Sequence, residues 1–512
     1  MADKYVLAID AGHSGARSLI TNLQGEPVSF VSREWTYDTP ADVAPLGKEF
    51  DPGRFWDILC QLMRETIKKA TIASRDIIGV SVASQRQGVV FLDKQGHELY
   101  AGPNTDLRAL SEGFSIDNQF GSEVYRITGR APSFLFTPAK LRWFRSNHPR
   151  IYGRIATVLS ISDWVTYRLS GERTADISNA SDTGLVDIHQ LRWSGKLVEM
   201  LRLPQGIYPE ITGAGTRVGI ITSAAAQQTG LATGTPVITG GADTQCGLLG
   251  MGTKEEGQVG IVAGWSGCVQ MVTAQPIIDS ARRVWASCHV IPGKWVLESN
   301  AMESGGAYQW LKELIYHDSS TAQDAYTLMD RMAEETAPGA EGVLAFLGPR
   351  LMDMTHLRPS RGGFVFSITP SVTHIRRKHL IRAALENLCF AFKANCTQLE
   401  EVSGQRVREV SIGGGLAQSR ALVQILSDVL DMPVTCPQMA QVTSWGTVMC
   451  AATGSGAYAD LEQAMNAMRP ESRIVEPTPR NVEGYLQHYQ RWLSIGKRIG
   501  DLSEERDEHV EL

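Results

Sequence analysis

The stretch Tyr5-Val-Leu-Ala-Ile-Asp-Ala-Gly-His-Ser-Gly-Ala-Arg17 decides how the chain is read. An apolar run predicts a buried strand that delivers Asp10 into a turn holding Gly12 and Gly15, before Arg17 enters a second strand. Glycines in such a turn let backbone N–H groups come close to phosphate oxygens. A carboxylate at the strand's end can hold Mg²⁺ through water, because that ion keeps much of its hydration shell. Arg17-Ser-Leu-Ile-Thr-Asn-Leu, a Gln24-Gly25 turn and Pro27-Val-Ser-Phe-Val-Ser continue the pattern as a hairpin. Because Gly12 and Gly15 lead into a strand instead of a helix, a Rossmann fingerprint is excluded. Two alternatives stand at this point: a phosphate-cradling hairpin, and an ordinary hairpin with an acidic turn.

Working outward, the 512 residues suffice for two or three sizeable domains. With 43% hydrophobic and 20% charged residues, the composition is that of a soluble globular protein. A formal net charge of -6 argues against a dedicated nucleic-acid surface, which is normally basic. No run approaches the apolar length of a membrane helix, so no membrane partner is expected. The start, Met1-Ala-Asp-Lys, lacks the basic-then-apolar pattern of a signal peptide. Eight scattered cysteines in mostly apolar company predict buried free thiols of a cytoplasmic protein and no zinc site.

Beyond the hairpin, Asp51 and Pro52 predict a helix start, with Phe55, Ile58, Leu59, Leu62 and Ile67 as its apolar stripe. Ile77 to Ser84 reads as a buried strand ending in the polar turn Gln85-Arg86-Gln87-Gly88, where a polyol can be read by hydrogen bonds. Residues 133–190 are expected to be mostly helical. At Gly234-Thr-Pro-Val-Ile-Thr-Gly-Gly-Ala-Asp243 an apolar strand again delivers an Asp beside glycines. Gly257 to Gly267 forms a second glycine-rich turn at Gly264-Trp265-Ser266, and Val269-Gln-Met-Val completes its hairpin. Gly413-Gly414-Gly415 precedes a helix from about Ser419 to Leu430, and the small residues of Gly446 to Gly454 predict a tightly packed helix. A last helix with a solvated tail ends the chain. Two strand–Asp–Gly elements, one per half, suggest a duplicated architecture.

Phosphoryl transfer needs positioned phosphates, Mg²⁺ and a group to take the nucleophile's proton. Asp10 is the candidate for Mg²⁺, Arg17 for charge near the phosphates and Asp243 for the base. The three-glycine turn can lie flat against an adenine or ribose, since it carries no side-chain bulk. Taken singly, each Asp reads equally as a helix or turn cap, and three glycines as simple loop geometry.

Together and in this order, the elements resemble the FGGY family of carbohydrate kinases over nearly the whole chain. The family's opening Asp-x-Gly-Thr-(Ser/Thr)-x-x-Arg is similar to Asp10-Ala-Gly-His-Ser-Gly-Ala-Arg17. Its first signature is similar to Pro138-Ala-Lys140-Leu-Arg-Trp143-Phe, and the segments Asp163 to Glu172 and Asp176-Ile-Ser-Asn-Ala-Ser181 also resemble it. So do Gly240-Gly241-Ala-Asp243, His379 to Glu386, and Gly413 to Ser419 with Gln424 and Asp428. The resemblance implies an α/β chain of two actin-like (ribonuclease H-like) ATPase domains, 1–248 and 249–512, with an interdomain cleft. It implies ATP-dependent phosphorylation of a small sugar, ketose or polyol, with Asp243 as base and also toward the metal and the sugar. Gln85, Arg86, Gln87, Asp106 and Thr244 are then expected to contact the sugar. Gly12, His13, Ser14, Arg17, Gly264, Trp265, Ser266, Gly413, Gly414, Gly415 and Ser419 would contact ATP, and Asp10 would hold Mg²⁺. A homodimer is among the assemblies it allows.

Ser84-Gln-Arg-Gln-Gly88 resembles the Arg-containing loop of glycerol and autoinducer-2 kinases more than the Met-His loop of xylulose kinases, and Asn104-Thr-Asp-Leu-Arg108 is similar to the autoinducer-2 kinases. His13 and Trp265 stand where the family has Thr, and Gln441 where Glu is expected. Two lost hydroxyls remove two donors to phosphate, at roughly 1 kcal/mol or more each. Ser14 and Ser266 are neighbours able to substitute. His13 can also donate to phosphate, or be a plain surface histidine, and Trp265 can stack on a flat ligand or simply pack. The alternative functions are an autoinducer-2-type signal kinase and a catalytically weak sugar- or nucleotide-binding regulator in the same fold.

Overall fold

The opening stretch folds as its apolar alternation predicts. In the computed structural model, which describes residues 3–316, 324–354, 361–368 and 374–502, β1 (Tyr5–Ala11), β2 (Gly15–Asn22) and β3 (Pro27–Glu34) form an antiparallel meander. β1 is buried from Val6 to Ala11 because it has a neighbour on each side and helices on the sheet faces. Its second neighbour, β4 (Ile77–Ser84), runs parallel. β5 (Arg217–Ile220) and β6 (Pro236–Ala242) complete the sheet in the order β5-β6-β4-β1-β2-β3, with β6 parallel to β4 and β5 antiparallel to β6.

α1 (Pro52–Ala70) starts where the sequence places it, with the Asp51 side chain accepting from the Arg54 N–H and Pro at the first position. Phe55, Leu59 and Leu62 of its stripe are buried in one core with Leu7, Ile9 and Ile20, and Ile58 and Ile67 pack at its margin. Each such side chain contributes about 1.5–3 kcal/mol on burial. α2 (Thr137–Asn147) and α3 (Ile161–Ser170) follow, and Trp164, Val165 and Leu169 of α3 join the same core. Within the region expected to be helical, Thr157–Ser160 is instead a strand, paired antiparallel with Val89–Leu92. A four-residue apolar run is too short to stand as a helix, and here an already half-paired strand satisfies its backbone. α4 (Asp243–Met251) leaves the end of β6.

A second sheet repeats the first. β7 (Gln258–Ala263) and β8 (Gly267–Thr273) form a hairpin, followed by β9 (Trp295–Asn300), β10 (Glu409–Gly413), β11 (Val434–Pro437) and β12 (Ser472–Val475). Their order is β9-β8-β7-β10-β11-β12, with Trp285–Cys288 as a seventh strand beyond β9; β7, β10 and β11 are parallel and β12 is antiparallel at the other edge. Hairpin, two further parallel strands and an antiparallel edge recur in both sheets, but the two strand–Asp–Gly elements are not one per half: Asp10 and Asp243 both belong to the first sheet, whose β1 and β6 flank β4. α5 (Ser304–Ile315), α6 (Arg377–Ser403) and α7 (Arg420–Leu430) accompany this sheet.

The chain divides into two units, Met1–Lys254 with Val272–Leu297 and Gln441–Pro470, and Glu255–Met271 with Glu298–Ala440 and Glu471–Leu512. The division passes through β8 and β9. α8 (Val442–Gly454) therefore returns to the first unit, where it packs on α4. A Cβ on Gly446 would stand 1.9 Å from the Cys246 carbonyl oxygen, and one on Gly250 would stand 2.0 Å from that of Val442. These two glycines bring the helix backbones into contact, which is why the run is so rich in small residues. α9 (Pro479–Leu502) closes the second unit, with Tyr485, Tyr489 and Trp492 around Phe390 of α6. The tail expected from Glu504 onward lies outside the described residues. No helix among the described residues is long and apolar enough to cross a membrane. All eight cysteines are free and buried.

Candidate active site

Three parallel strands of the first unit, β1, β4 and β6, end at one sheet edge. Asp10 on β1 and Gly241 on β6 are both in register with Ala83 of β4 between them. Two strand spacings separate them, about 10 Å. Asp243 follows as the first residue of α4, half-buried, and the Gln85–Gly88 turn leaves β4 between the two carboxylates. The carboxyl edge of parallel strands is where open α/β sheets hold their ligands.

At the hairpin, Asp10 is buried and its Oδ2 accepts from Arg17 Nη1 at 3.0 Å, the two residues being opposite in the β1–β2 register. Burial raises the Asp10 pKa, and the Arg17 guanidinium offsets this only in part. Oδ1 is buried with no hydrogen-bond partner among the described residues. An unsatisfied acceptor of this kind costs about 1–3 kcal/mol, and a hydrated cation would supply the missing donor. Asp10 thus fits Mg²⁺ held through water. No group of three or more His, Cys, Asp and Glu side chains able to hold a metal occurs among the described residues. The Gly12 N–H donates to the Gly15 carbonyl at 3.0 Å, closing the turn. Gly15 must lack a side chain, since its Cβ would lie 2.2 Å from the Arg33 carbonyl of β3. His13 Nδ1 lies 2.9 Å from Asn104 Oδ1, and its carbonyl accepts from Tyr37 Oη at 2.6 Å and Trp35 Nε1 at 3.1 Å. Ser14 is exposed beside it.

Gln85 ties this hairpin to the polar turn. Its backbone N–H donates to the Ala11 carbonyl at 2.9 Å, its Nε2 donates to Tyr37 Oη at 2.7 Å, and its Oε1 accepts from the Asn104 N–H at 3.2 Å. Burial pushes the Tyr37 phenol up to about 12. Arg86 Nε is 3.8 Å from Asp182 Oδ2, Arg130 pairs with the same carboxylate, and both guanidiniums lie over the Trp285 ring. Gln87 sits in the left-handed region at φ 63°, and its carbonyl accepts from Lys140 Nζ at 3.4 Å. Lys140 is completely buried, which pushes its ammonium down to about 8. Asp106 is also fully buried, two residues from Asn104. Its oxygens accept from the Lys48 N–H at 2.9 Å, from Arg108 Nε at 2.9 Å and from Tyr100 Oη, while Arg108 stacks on Tyr100 and Trp143. Gln85, Arg86 and Gln87 come together on the turn; Asp106 is engaged by structural partners.

At β6, a Cβ on Gly240 would stand 2.1 Å from the Val82 carbonyl, and one on Gly241 would stand 2.9 Å from Ser178 Oγ. Asp243 Oδ1 accepts from the Thr244 N–H at 2.8 Å, and the Asp243 carbonyl accepts from Thr443 Oγ1 of α8 at 3.0 Å. Thr244 Oγ1 donates to Gln245 Oε1 at 2.8 Å. An Asp in the first turn also suits the helix dipole. Lys140, Arg130, Asp182 and Thr443 are neighbours that residue-by-residue reasoning did not single out. Lys140 alone left a signal, in the signature-like Pro138 to Phe144 stretch.

The second unit holds the other glycine turns. The Gly264 N–H donates to the Ser266 carbonyl at 3.0 Å, and the Trp265 carbonyl accepts from the Gly305 and Gly306 N–H groups at 2.9 and 3.3 Å, at the start of α5. The Trp265 indole lies against Gly306, where a Cβ would stand 2.9 Å from Cζ2, and it is 46% exposed. Gly413 ends β10 beside Val262 of β7. Gly414, at φ 104°, would bring a Cβ to 2.6 Å from the Ala263 carbonyl, while Gly415 has open space. Ser419 caps α7, accepting from the Leu422 N–H at 3.0 Å and donating to Asp330. Asp330 also accepts from the Arg420 and Ala421 N–H groups at 3.1 and 3.2 Å. Lying 89 residues away, it has no sequence signal.

The sequence matches the N-terminal-domain model of the FGGY family of carbohydrate kinases over residues 5–250, and the C-terminal-domain model over 259–455. It is 33% identical over 505 residues to the autoinducer-2 kinase of Salmonella paratyphi B, covering 96% of this chain and 94% of that one. Identity to the Escherichia coli autoinducer-2 kinase is 31% over 502 residues, with 96% and 94% covered. Among solved structures, the xylulose kinase of Rhodospirillum rubrum superposes with a TM-score of 0.84 at 25% identity, covering 98% of this chain and all of that one. Plasmodium falciparum glycerol kinase with ADP shares the fold at 18% identity and a TM-score of 0.81, over 96% of this chain and 98% of its own.

Proposed function

From a chain that belongs to the FGGY family of carbohydrate kinases, with two actin-like domains and ATP-dependent sugar phosphorylation as its activity, we propose a mechanism in which Asp243 is the general base and Asp10 serves the metal. The observation that carries it is the register of Asp10 and Gly241 on either side of Ala83, with Gln85 and Arg86 leaving the strand between them. A sugar hydroxyl held by Gln85, Arg86, Gln87 and Thr244 attacks the γ-phosphorus of ATP. Its oxygen forms the new P–O bond, the bond to ADP breaks, and the hydroxyl proton passes to the Asp243 carboxylate. Because the transition state is loose, an ordinary carboxylate suffices as base. Mg²⁺, when bound, neutralises charge on the transferring phosphates, and the unpartnered Oδ1 of Asp10 is the protein atom that would hold it through water. Arg17, Gly12, His13 and Ser14 form the first phosphate turn. Gly264, Trp265, Ser266 and Gly413 to Gly415 are the proposed nucleotide contacts of the second unit. Ser419 belongs to that set through its cap on α7. We place the change of domain near 248/249, close to the gap between the family matches at 5–250 and 259–455, with Val272–Leu297 and Gln441–Pro470 grouped with the first unit.

The substrate we favour is a small open-chain polyhydroxy ketone of the autoinducer-2 type. The support is the identity of about one residue in three to kinases of that name across 96% of the chain. Eight buried thiols favour a reducing, cytoplasmic location. The second possibility, a weakly catalytic binding protein, is favoured by one observation: Trp265, at the position where the second turn is expected to have Thr, packs its indole against Gly306. An ATP-to-ADP coupled assay with Mg²⁺ separates them, using the autoinducer-2 precursor, xylulose, ribitol and glycerol, with Asp243→Ala as control. Turnover at least about a hundredfold above the control supports the kinase mechanism. Full turnover by Asp243→Ala refutes the base, and nucleotide binding with no turnover on any compound favours the binding protein.

A further inference from the structure

The segment Asp176-Ile-Ser-Asn-Ala-Ser181 lies in none of the contacts assigned above, yet it is buried directly behind them. Ser178 and Ser181 are 0% exposed, and Asp176 and Asn179 are 2% exposed. At Gly240 the register of β6 on β4 slips by one residue, and the last strand residue, Ala242, bonds through its N–H to a side chain of another element. That N–H donates to Ser178 Oγ at 2.8 Å. Ser178 in turn donates through Oγ to Asp176 Oδ1, which also accepts from the Ser178 N–H at 2.8 Å.

The chain of hydrogen bonds does not stop there. The Asp176 N–H donates to Asp163 Oδ1 at 3.0 Å, and Asp163 Oδ2 accepts from Ser160 Oγ at 2.6 Å. Ser160 Oγ lies 3.0 Å from Ser162 Oγ, to which Asn179 Nδ2 donates at 2.9 Å. The Ser162 N–H donates to Ser84 Oγ at 2.9 Å, and Ser84 is the register partner of Ala242. The network therefore begins at the residue before Asp243 and ends at the residue before Gln85. Two buried carboxyls are a costly way to fill a core, and burial pushes the pKa of both upward. An apolar plug of the same volume would support the helices as well, but would leave the Ala242 N–H unpaired.

We propose that Ser178, held by Asp176, is a positioning residue for Asp243: it fixes the peptide that carries the base, and through Ser162 and Ser84 sets that peptide against the turn bearing Gln85 and Arg86. The inference rests on Asp243 as the base. Displacing a catalytic group by about 1 Å costs up to a hundredfold in rate, so loss of the Ser178 bond is expected to lower kcat about 10- to 100-fold.

The test compares the full-length protein with Ser178→Ala and Ser178→Cys, the latter keeping a weak hydrogen-bonding atom of similar size. Expected are kcat values in the order wild type, Cys, Ala, with the KM for ATP within about twofold, as the phosphate hairpin is untouched. Hydrogen exchange of the peptide spanning residues 240–246 reads the same bond without any substrate, and Ser178→Ala should exchange faster there. An unchanged kcat in Ser178→Ala, or unchanged exchange over that peptide, overturns the proposal. A fall in kcat matched by the fall in nucleotide-binding sites also overturns it, as it would show only misfolding. Asp243→Ala with full turnover would instead remove the base, a failure distinct from that of Ser178.

Discussion

Lys140 lies fully buried beneath the polar turn, donating to the Gln87 and Leu135 carbonyls at 3.4 Å each. Burial pushes its ammonium down to about 8 from an ordinary 10.5, with the Asp106 carboxylate only partly opposing this. In the unfolded chain the same group keeps its proton to about pH 10. Between these values the unfolded state binds more protons than the native one, so this lysine makes stability rise with pH. Integrated from about pH 7 to about pH 10, its share amounts to about 2–3 kcal/mol. Lys140→Met keeps the length of the side chain and removes the titration. Urea unfolding of both proteins at several pH values in that range should show wild type gaining on the variant by about this amount. The variant should also raise the KM for sugar, because Gln87 loses the group that holds its left-handed turn. A stability difference that stays flat, or that turns against wild type as pH rises, would refute a buried ammonium at Lys140.

Two packing predictions are independent of the site. Gly446→Ala forces a Cβ to 1.9 Å from the Cys246 carbonyl at the α4–α8 crossing and should cost roughly 1–3 kcal/mol or more. Gly484→Ala in α9, where a Cβ meets nothing within 4 Å, should instead stabilise by about 0.5–1 kcal/mol; denaturant midpoints of the two variants moving the same way would contradict this. Tyr485 Oη donates to Glu386 Oε1 at 3.1 Å and accepts from Arg382, and the same carboxylate oxygen accepts from Arg382 Nε and the Gly339 N–H at 2.9 Å. Tyr485→Phe leaves a buried guanidinium short of one acceptor, so a loss of about 1–3 kcal/mol is expected, and an unshifted thermal midpoint would refute it.

The local elements of this protein were legible because their signals are local. Strand β1, its glycine turn and the hairpin follow from an apolar run and two residues without side chains. The start of α1 follows from Asp51-Pro52, and α7 begins about where the sequence placed it, near Ser419. Asp10 and Asp243 with their glycines suggested one strand–Asp–Gly element per half, yet both lie in the first sheet; which strands share a sheet is set by long-range pairing that no single strand–turn motif records. The small residues of α8 foretold close packing, but not its partner. That partner, α4, is some 200 residues earlier in the chain, as the Thr443–Asp243 hydrogen bond shows.

What the sequence by itself determined is therefore the set of strands, turns and reactive residue types, each set by the backbone preferences of a few consecutive residues. Only the tertiary structure decided which of these meet. Parallel register of both β1 and β6 on β4, pairing Asp10 and Gly241 with the same Ala83, brought them to the same edge. It decided that Asp106 is consumed by Arg108, Tyr100 and Lys48, that Ser419 shares its helix end with Asp330, and that Lys140 supports Gln87. A buried polar group must find a partner wherever the packed chain supplies one. That partner is chosen by the fold as a whole, and no run of neighbouring residues records it.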